Sequence, residues 1–181
     1  MPERLTEDQW KALLRRERDT FKLTIRGCSA LEAEIDAHCE ALFRVPVRGG
    51  MGSFGQAGRK AVIAEALGVL PSGLAPTLRK LYEIRNDFAH GDLDELDQER
   101  ADQLLRTLDQ AKVVTPPLAG LLARARPRDK LQNVLRVLML AVHAGGRTSL
   151  RLKREGEQAL VAEQAQALAR FAKEIAPEGG P

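Results

Sequence analysis

Residues Leu74 to Gly91 read LAPTLRKLYEIRNDFAHG. Leu74, Leu78, Leu81, Arg85 and Phe88 recur at steps of three and four, the pattern of a helix with one face toward a core. Pro76 is tolerated in a first helical turn, and Gly91 stands just past the last one, where a left-handed cap is wanted. The stretch therefore predicts a helix from about Ala75 to Ala89, with His90 at its end.

The same reading extends outward in both directions. Upstream, Thr6 to about Arg18 is helix-competent, with Thr6 as cap and Glu7 and Asp8 in the first turn. From about Asp19 to Phe43, a stripe of Phe21, Ile25, Cys28, Leu31, Ile35, Cys39 and Leu42 predicts a long second helix. Pro46 and a cluster of glycines break the pattern, and a third helix runs from about Ala57 to Leu67 and stops at Gly68. Downstream, Asp92 or Asp94 is expected to cap a helix that ends near Val113, with Ala101, Leu104, Leu105 and Leu108 inward. Pro116 and Pro117 break the chain, and short helical turns are expected around Leu118 to Ala125. A sixth helix is predicted from Arg128 to about His143, ended by Gly145 and Gly146. Arg147 to Lys153 reads as loop or short strand, Gln158 to Ile175 as an Ala-rich last helix, and residues 177–181 as a frayed tail. The expected architecture is all-α: one domain over residues 1–176, a bundle of about six to seven helices.

Composition agrees with that class. The 181 residues are 44% hydrophobic, 29% charged and only 4% aromatic, which suits a Leu- and Ala-rich helical core better than a β-sandwich. Lys and Arg number 28 against 25 Asp and Glu, a net charge of +3 that permits a polyanion partner without requiring one. The first twenty residues hold no apolar targeting segment, and the longest apolar run, Val137 to Ala144, is interrupted by His143 and far too short to span a bilayer. A cytoplasmic protein with no membrane partner is expected. Cys28 and Cys39 lie about 16 Å apart along one helix, too far for a disulfide, and read as buried thiols. The His and Cys residues form no zinc spacing, so no metal and no cofactor are expected. Gly50 to Gly55 fits G-x-G-x-x-G literally, but no βαβ unit surrounds it, and it reads as a loop.

Two groups of residues carry candidate chemistry. Arg85 falls on the apolar stripe, so its guanidinium must meet a packed face or a partner subunit, and a buried Arg requires a counter-charge. Asn86 and His90 are four apart and share one side of the helix, whereas Arg85 and His90 are about 140° apart around the axis. One straight helix does not easily serve one site from both; two copies across a dimer axis could. His90 at the negative end of the helix dipole favours imidazolium and, beside Arg85, could act as general acid or base on a phosphodiester whose own 2′-hydroxyl is the nucleophile. The structural alternative is that Asn86 and His90 tie the helix end to its neighbour while Arg85 pairs with a carboxylate such as Glu65 or Glu83. The second group is basic: Arg124, Arg126, Arg128, Lys130, Arg136, Arg147, Arg151, Lys153 and Arg154, with Asp129 as the only acid among them. Arg124, Arg126, Arg128, Lys130, Arg147 and Arg151 are the candidates for nucleic-acid contact, against the alternative of a solvated face neutralised by acidic neighbours.

Arg85-Asn86-x-x-Ala89-His90 at a helix end resembles the R-x4-H motif of the HEPN superfamily, all-helical domains that usually dimerise. Many members are metal-independent ribonucleases; the resemblance puts their Arg and His at Arg85 and His90 and the following polar residue at Asn86. Three ordered segments are similar to the mannitol-operon-repressor family within it: Arg26-Gly27-Cys28 running through SALEAEIDAHCEALF, then SFGQAGRKAVIAEALGVL, then IRNDFAHG. With ARPRDKLQNVLRVLMLAVHA, which fits less specifically, they cover about Arg26 to Ala144, leaving the C-terminal extension of about 155–176 unmatched. This resemblance implies an oligomeric cytoplasmic regulator of helical fold with no obvious DNA-binding motif; a homodimer is expected, with a protein or RNA as a possible partner. Its alternatives are an endoribonuclease using Arg85, Asn86 and His90, and a repressor using the basic 124–154 segment.

Overall fold

In the computed structural model, residues 4–43, 57–113, 120 and 122–175 are described. Six helices carry them: α1 (Glu7–Arg16), α2 (Thr20–Phe43), α3 (Ala57–Ala66), α4 (Ala75–His90), α5 (Gln98–Gln110) and α6 (Pro127–Ile175). The described residues contain no strand, and no helix among them is long and apolar enough to cross a membrane. The glycine-rich 50–55 stretch, the Pro116-Pro117 break and the 177–181 tail lie outside the described residues.

Local chemistry sets most helix ends. Thr6 and Gln9 form a reciprocal capping box: the Thr6 hydroxyl accepts from Gln9 N, and the Gln9 side chain accepts from Thr6 N at 2.8 Å. Gly91 closes α4 with φ 78°, a left-handed conformation that only glycine adopts without strain. The cap of α5 is Asp97, whose Oδ1 accepts from Arg100 N at 2.7 Å, and not the expected Asp92 or Asp94. Leu96, buried at 2% exposure and donating its N–H to Thr20 Oγ1 at 3.3 Å, anchors the chain first, so the helix starts only after it.

The core is built mainly where α2 crosses α6, with α4 and α5 closing it and α3 packed on α4. On α2, Leu23, Cys28, Leu31, Ile35 and Cys39 are fully buried. Phe21 departs from the expected stripe: it is 41% exposed and meets the edge of Phe88 with ring centroids 5.6 Å apart. Its place is taken by Leu23, so the buried face is turned toward Thr24, Gly27, Glu34 and His38. Both cysteines are free and buried, and burial pushes their thiols up, Cys39 to about 11.

The largest correction concerns α6. Gly145 and Gly146 do not end it, and the 147–153 segment is neither loop nor strand; one helix continues for 49 residues to Ile175. A methyl on Gly145 would collide with the carbonyls of Gly68 and Val69, and one on Gly146 with the ring of His38. The two glycines let α6 press directly onto α2 and the turn after α3. Each glycine costs roughly 1 kcal/mol in helix propensity, and close packing outweighs it. Farther along, the Lys153 ammonium donates to the Leu42 carbonyl, and Leu152, Leu160 and Val161 are exposed.

Candidate functional site

At the end of α4, Arg85 Nη1 lies 3.5 Å from Glu32 Oε1 of α2, with side chains 33% and 17% exposed. Neither expected partner is used: Glu83 pairs with Lys80 at 3.0 Å, and Glu65 accepts from Gly73 N. Burial pushes the Glu32 carboxyl up, and the Arg85 and Lys60 charges only partly offset it. Asn86 and His90 are exposed. The side chain that ties α4 to α5 is their neighbour Asp87, 3.4 Å from Arg100 Nε. The motif thus has an inner cation held by α2 and an outer amide and imidazole that face away from the core.

The basic segment separates into unlike parts. Lys130 is fully buried with its ammonium on Asp102, which removes it from any exposed cationic face. Arg128 donates from Nη2 to the Glu17 carbonyl at 2.6 Å and from Nη1 to Gln132 at 3.0 Å, pinning the start of α6 to the end of α1. Arg126 and Arg151 are exposed and balanced by Asp129 at 3.0 Å and Glu155 at 3.6 Å. Arg124 and Arg147 are exposed; Arg147 donates from Nε to the His143 carbonyl of its own helix at 3.2 Å.

A third constellation escaped the sequence reading. Glu34, on α2, has a side chain only 3% exposed. Arg4 grips it with both arms of the guanidinium, Nε to Oε2 at 2.5 Å and Nη2 to Oε1 at 2.6 Å. His38 Nε2, one turn along α2, lies 3.1 Å from Oε1, and His143 Nε2, from α6, lies 3.0 Å from the same atom. The His38 contact is poorly aligned for a hydrogen bond, and its Nε2 is buried with no other partner. Burial alone would raise the Glu34 carboxyl, but His38 and Arg4, helped by the His143 charge, hold it at about 2. Gly146 creates the space the His38 ring fills.

This carboxylate forms the floor of a groove of about 670 Å³ between α1, α2 and α6. Trp10, Leu14 and Met139 form its apolar wall, and Arg15, Arg136 and Arg147 reach it from the rim. The signal was present in the sequence: His143 interrupts an apolar run, and Glu34 and His38 stand four apart among core positions Leu31, Ile35 and Cys39. A polar side chain at a core position needs a partner, but the partners Arg4 and His143 come from opposite ends of the sequence. Among the described residues, no group of three or more His, Cys, Asp or Glu could hold a metal ion. No family model, curated protein or solved structure matches the chain.

Proposed function

We propose that the protein is a regulatory or interaction protein of the mannitol-operon-repressor type, acting in the cytoplasm as a homodimer. The observation that carries this reading is the Arg85–Glu32 pair. A guanidinium neutralised by a carboxylate of its own subunit is poorly placed to hold a phosphodiester, because the phosphate would have to displace Glu32 and leave it half-buried and unpaired. Asp87 and Arg100 hold the same helix end against α5, so the motif has the character of a support for a presented surface.

The competing reading is a metal-independent endoribonuclease, favoured by one feature: His90 and Asn86 are exposed, where a second copy or an RNA can reach them. Incubating the purified protein with single-stranded RNA in EDTA separates the two. No cleavage is expected, and His90→Ala should change stability by less than about 0.5 kcal/mol, as for an exposed side chain away from buried networks. Cleavage in EDTA that His90→Ala abolishes would replace the regulatory reading with the nuclease one. The repressor reading has less support, since Lys130 is buried, Arg128 is bound to backbone, and Arg126 and Arg151 have acidic partners.

A further inference from the structure

We infer that the groove above Glu34 is a binding site for a small polyanion, a phosphorylated or multiply carboxylated metabolite. The volume, about 670 Å³, lies inside the range of roughly 300–1,000 Å³ that small-molecule sites occupy. Its charge balance selects the sign of the ligand. Two carboxylates line it, and both are already matched: Glu7 by Lys11 at 2.6 Å, Glu34 by Arg4. That leaves Arg15, Arg136 and Arg147 facing the groove. Among the described residues Arg15 and Arg136 have no ion pair or side-chain hydrogen bond, while Arg147 donates to a carbonyl of its own helix and its charge also acts on Glu7. Two uncommitted guanidiniums, with Arg147 beside them, over a low-dielectric wall of Trp10, Leu14 and Met139 concentrate anions and offer forked donors that fit phosphate and carboxylate oxygens. A cation is disfavoured, because the one negative group on the floor is already gripped by Arg4 and faces His38 and His143.

The floor is also built, rather than incidental. His38 is nine-tenths buried, its Nε2 has no well-formed hydrogen bond, and a glycine is required to admit its ring. A rigid base is what a site for a compact ligand needs, because ordering the groups beforehand lowers the cost of binding. The inference stands on the groove alone and is independent of how the α4 motif is read.

Trp10 is the sole tryptophan of the chain and lines the groove, so its fluorescence reports occupancy directly. The test titrates the protein at low ionic strength with inorganic pyrophosphate and, separately, with citrate, following Trp10 emission and the heat of binding by calorimetry. Saturable binding of one or both is expected, and the tighter of the two assigns the phosphate or the carboxylate branch. Arg15→Gln with Arg136→Gln should weaken binding by at least about tenfold, the scale of lost charged hydrogen bonds. Both positions are exposed, so the double variant should fold, which its circular dichroism checks. Arg79→Gln, an exposed arginine outside the groove, should bind as the parent does. A Kd weaker than about 1 mM for both anions would overturn the inference, as would equal weakening by Arg79→Gln, which would mark a diffuse charge effect.

Discussion

Glu32 and Glu34 stand two residues apart on α2, about 200° around the helix axis, and face different neighbours. Glu32 looks toward α4 and meets one guanidinium at 3.5 Å; Glu34 looks toward α1 and α6 and meets Arg4, His38 and His143 within 3.1 Å. Both are withdrawn from water, yet their carboxyls move in opposite directions: burial wins at Glu32, and cationic contacts win at Glu34. Burial therefore does not decide whether a carboxylate supports or strains a fold; the number and closeness of its partners do. At Glu34 the charge is part of the architecture. At Glu32 it is tolerated.

The largest expected effect comes from removing the better-matched charge. Glu34→Gln removes the carboxylate that Arg4, His38 and His143 face and should cost about 1–3 kcal/mol, the scale of leaving buried polar groups unsatisfied; chemical denaturation at neutral pH measures it. The same group sets an acid limit. Its folded carboxyl, at about 2, lies below the ordinary value of about 4.3. The ionised form thus adds stability that is fully present above the unfolded value and is lost as pH falls through the folded one. A contribution of about 3 kcal/mol should disappear between about pH 5 and pH 2, and Glu34→Gln should flatten that part of the stability profile.

Gly146→Ala comes next. Helix propensity favours alanine by roughly 1 kcal/mol. The added methyl would meet the His38 ring, however, and overpacking of this kind costs about 1–3 kcal/mol. A net loss in melting temperature is expected; a gain would mean that α6 does not press on His38. Glu32→Gln should have the smallest effect, below about 1 kcal/mol in either direction at neutral pH, because Arg85 keeps a third of its side chain in water. The sign of its pH dependence is opposite to that of Glu34: a raised carboxyl loses stability as pH rises from its unfolded toward its folded value.

Much of the fold was legible because five of the helices follow the 3.6-residue period and carry local end signals, such as the Thr6 box and the positive φ at Gly68 and Gly91. The length of α6 was not. Gly145-Gly146 is a stop signal by propensity, and only the approach of the Gly68 and Val69 carbonyls and the His38 ring shows why glycine is there inside a helix. The Asp97 cap was hidden for a related reason: Asp92, Asp94 and Asp97 are equivalent as caps until burial of Leu96 fixes where the helix begins. Among the candidate site residues, the counter-charge Arg85 required was foreseeable but its partner was not, because Glu32 is brought in by the α2–α4 packing. The Glu34 centre is wholly tertiary. Its members are ordinary in sequence and become a site only when α1, α2 and α6 meet.

The claim that α2 holds one architectural and one tolerated carboxylate is tested most directly by carboxyl-detected NMR titration of the folded protein. Glu34 should remain ionised down to about pH 2 while Glu32 titrates above its ordinary value. A Glu34 midpoint equal to or higher than that of Glu32 would contradict it.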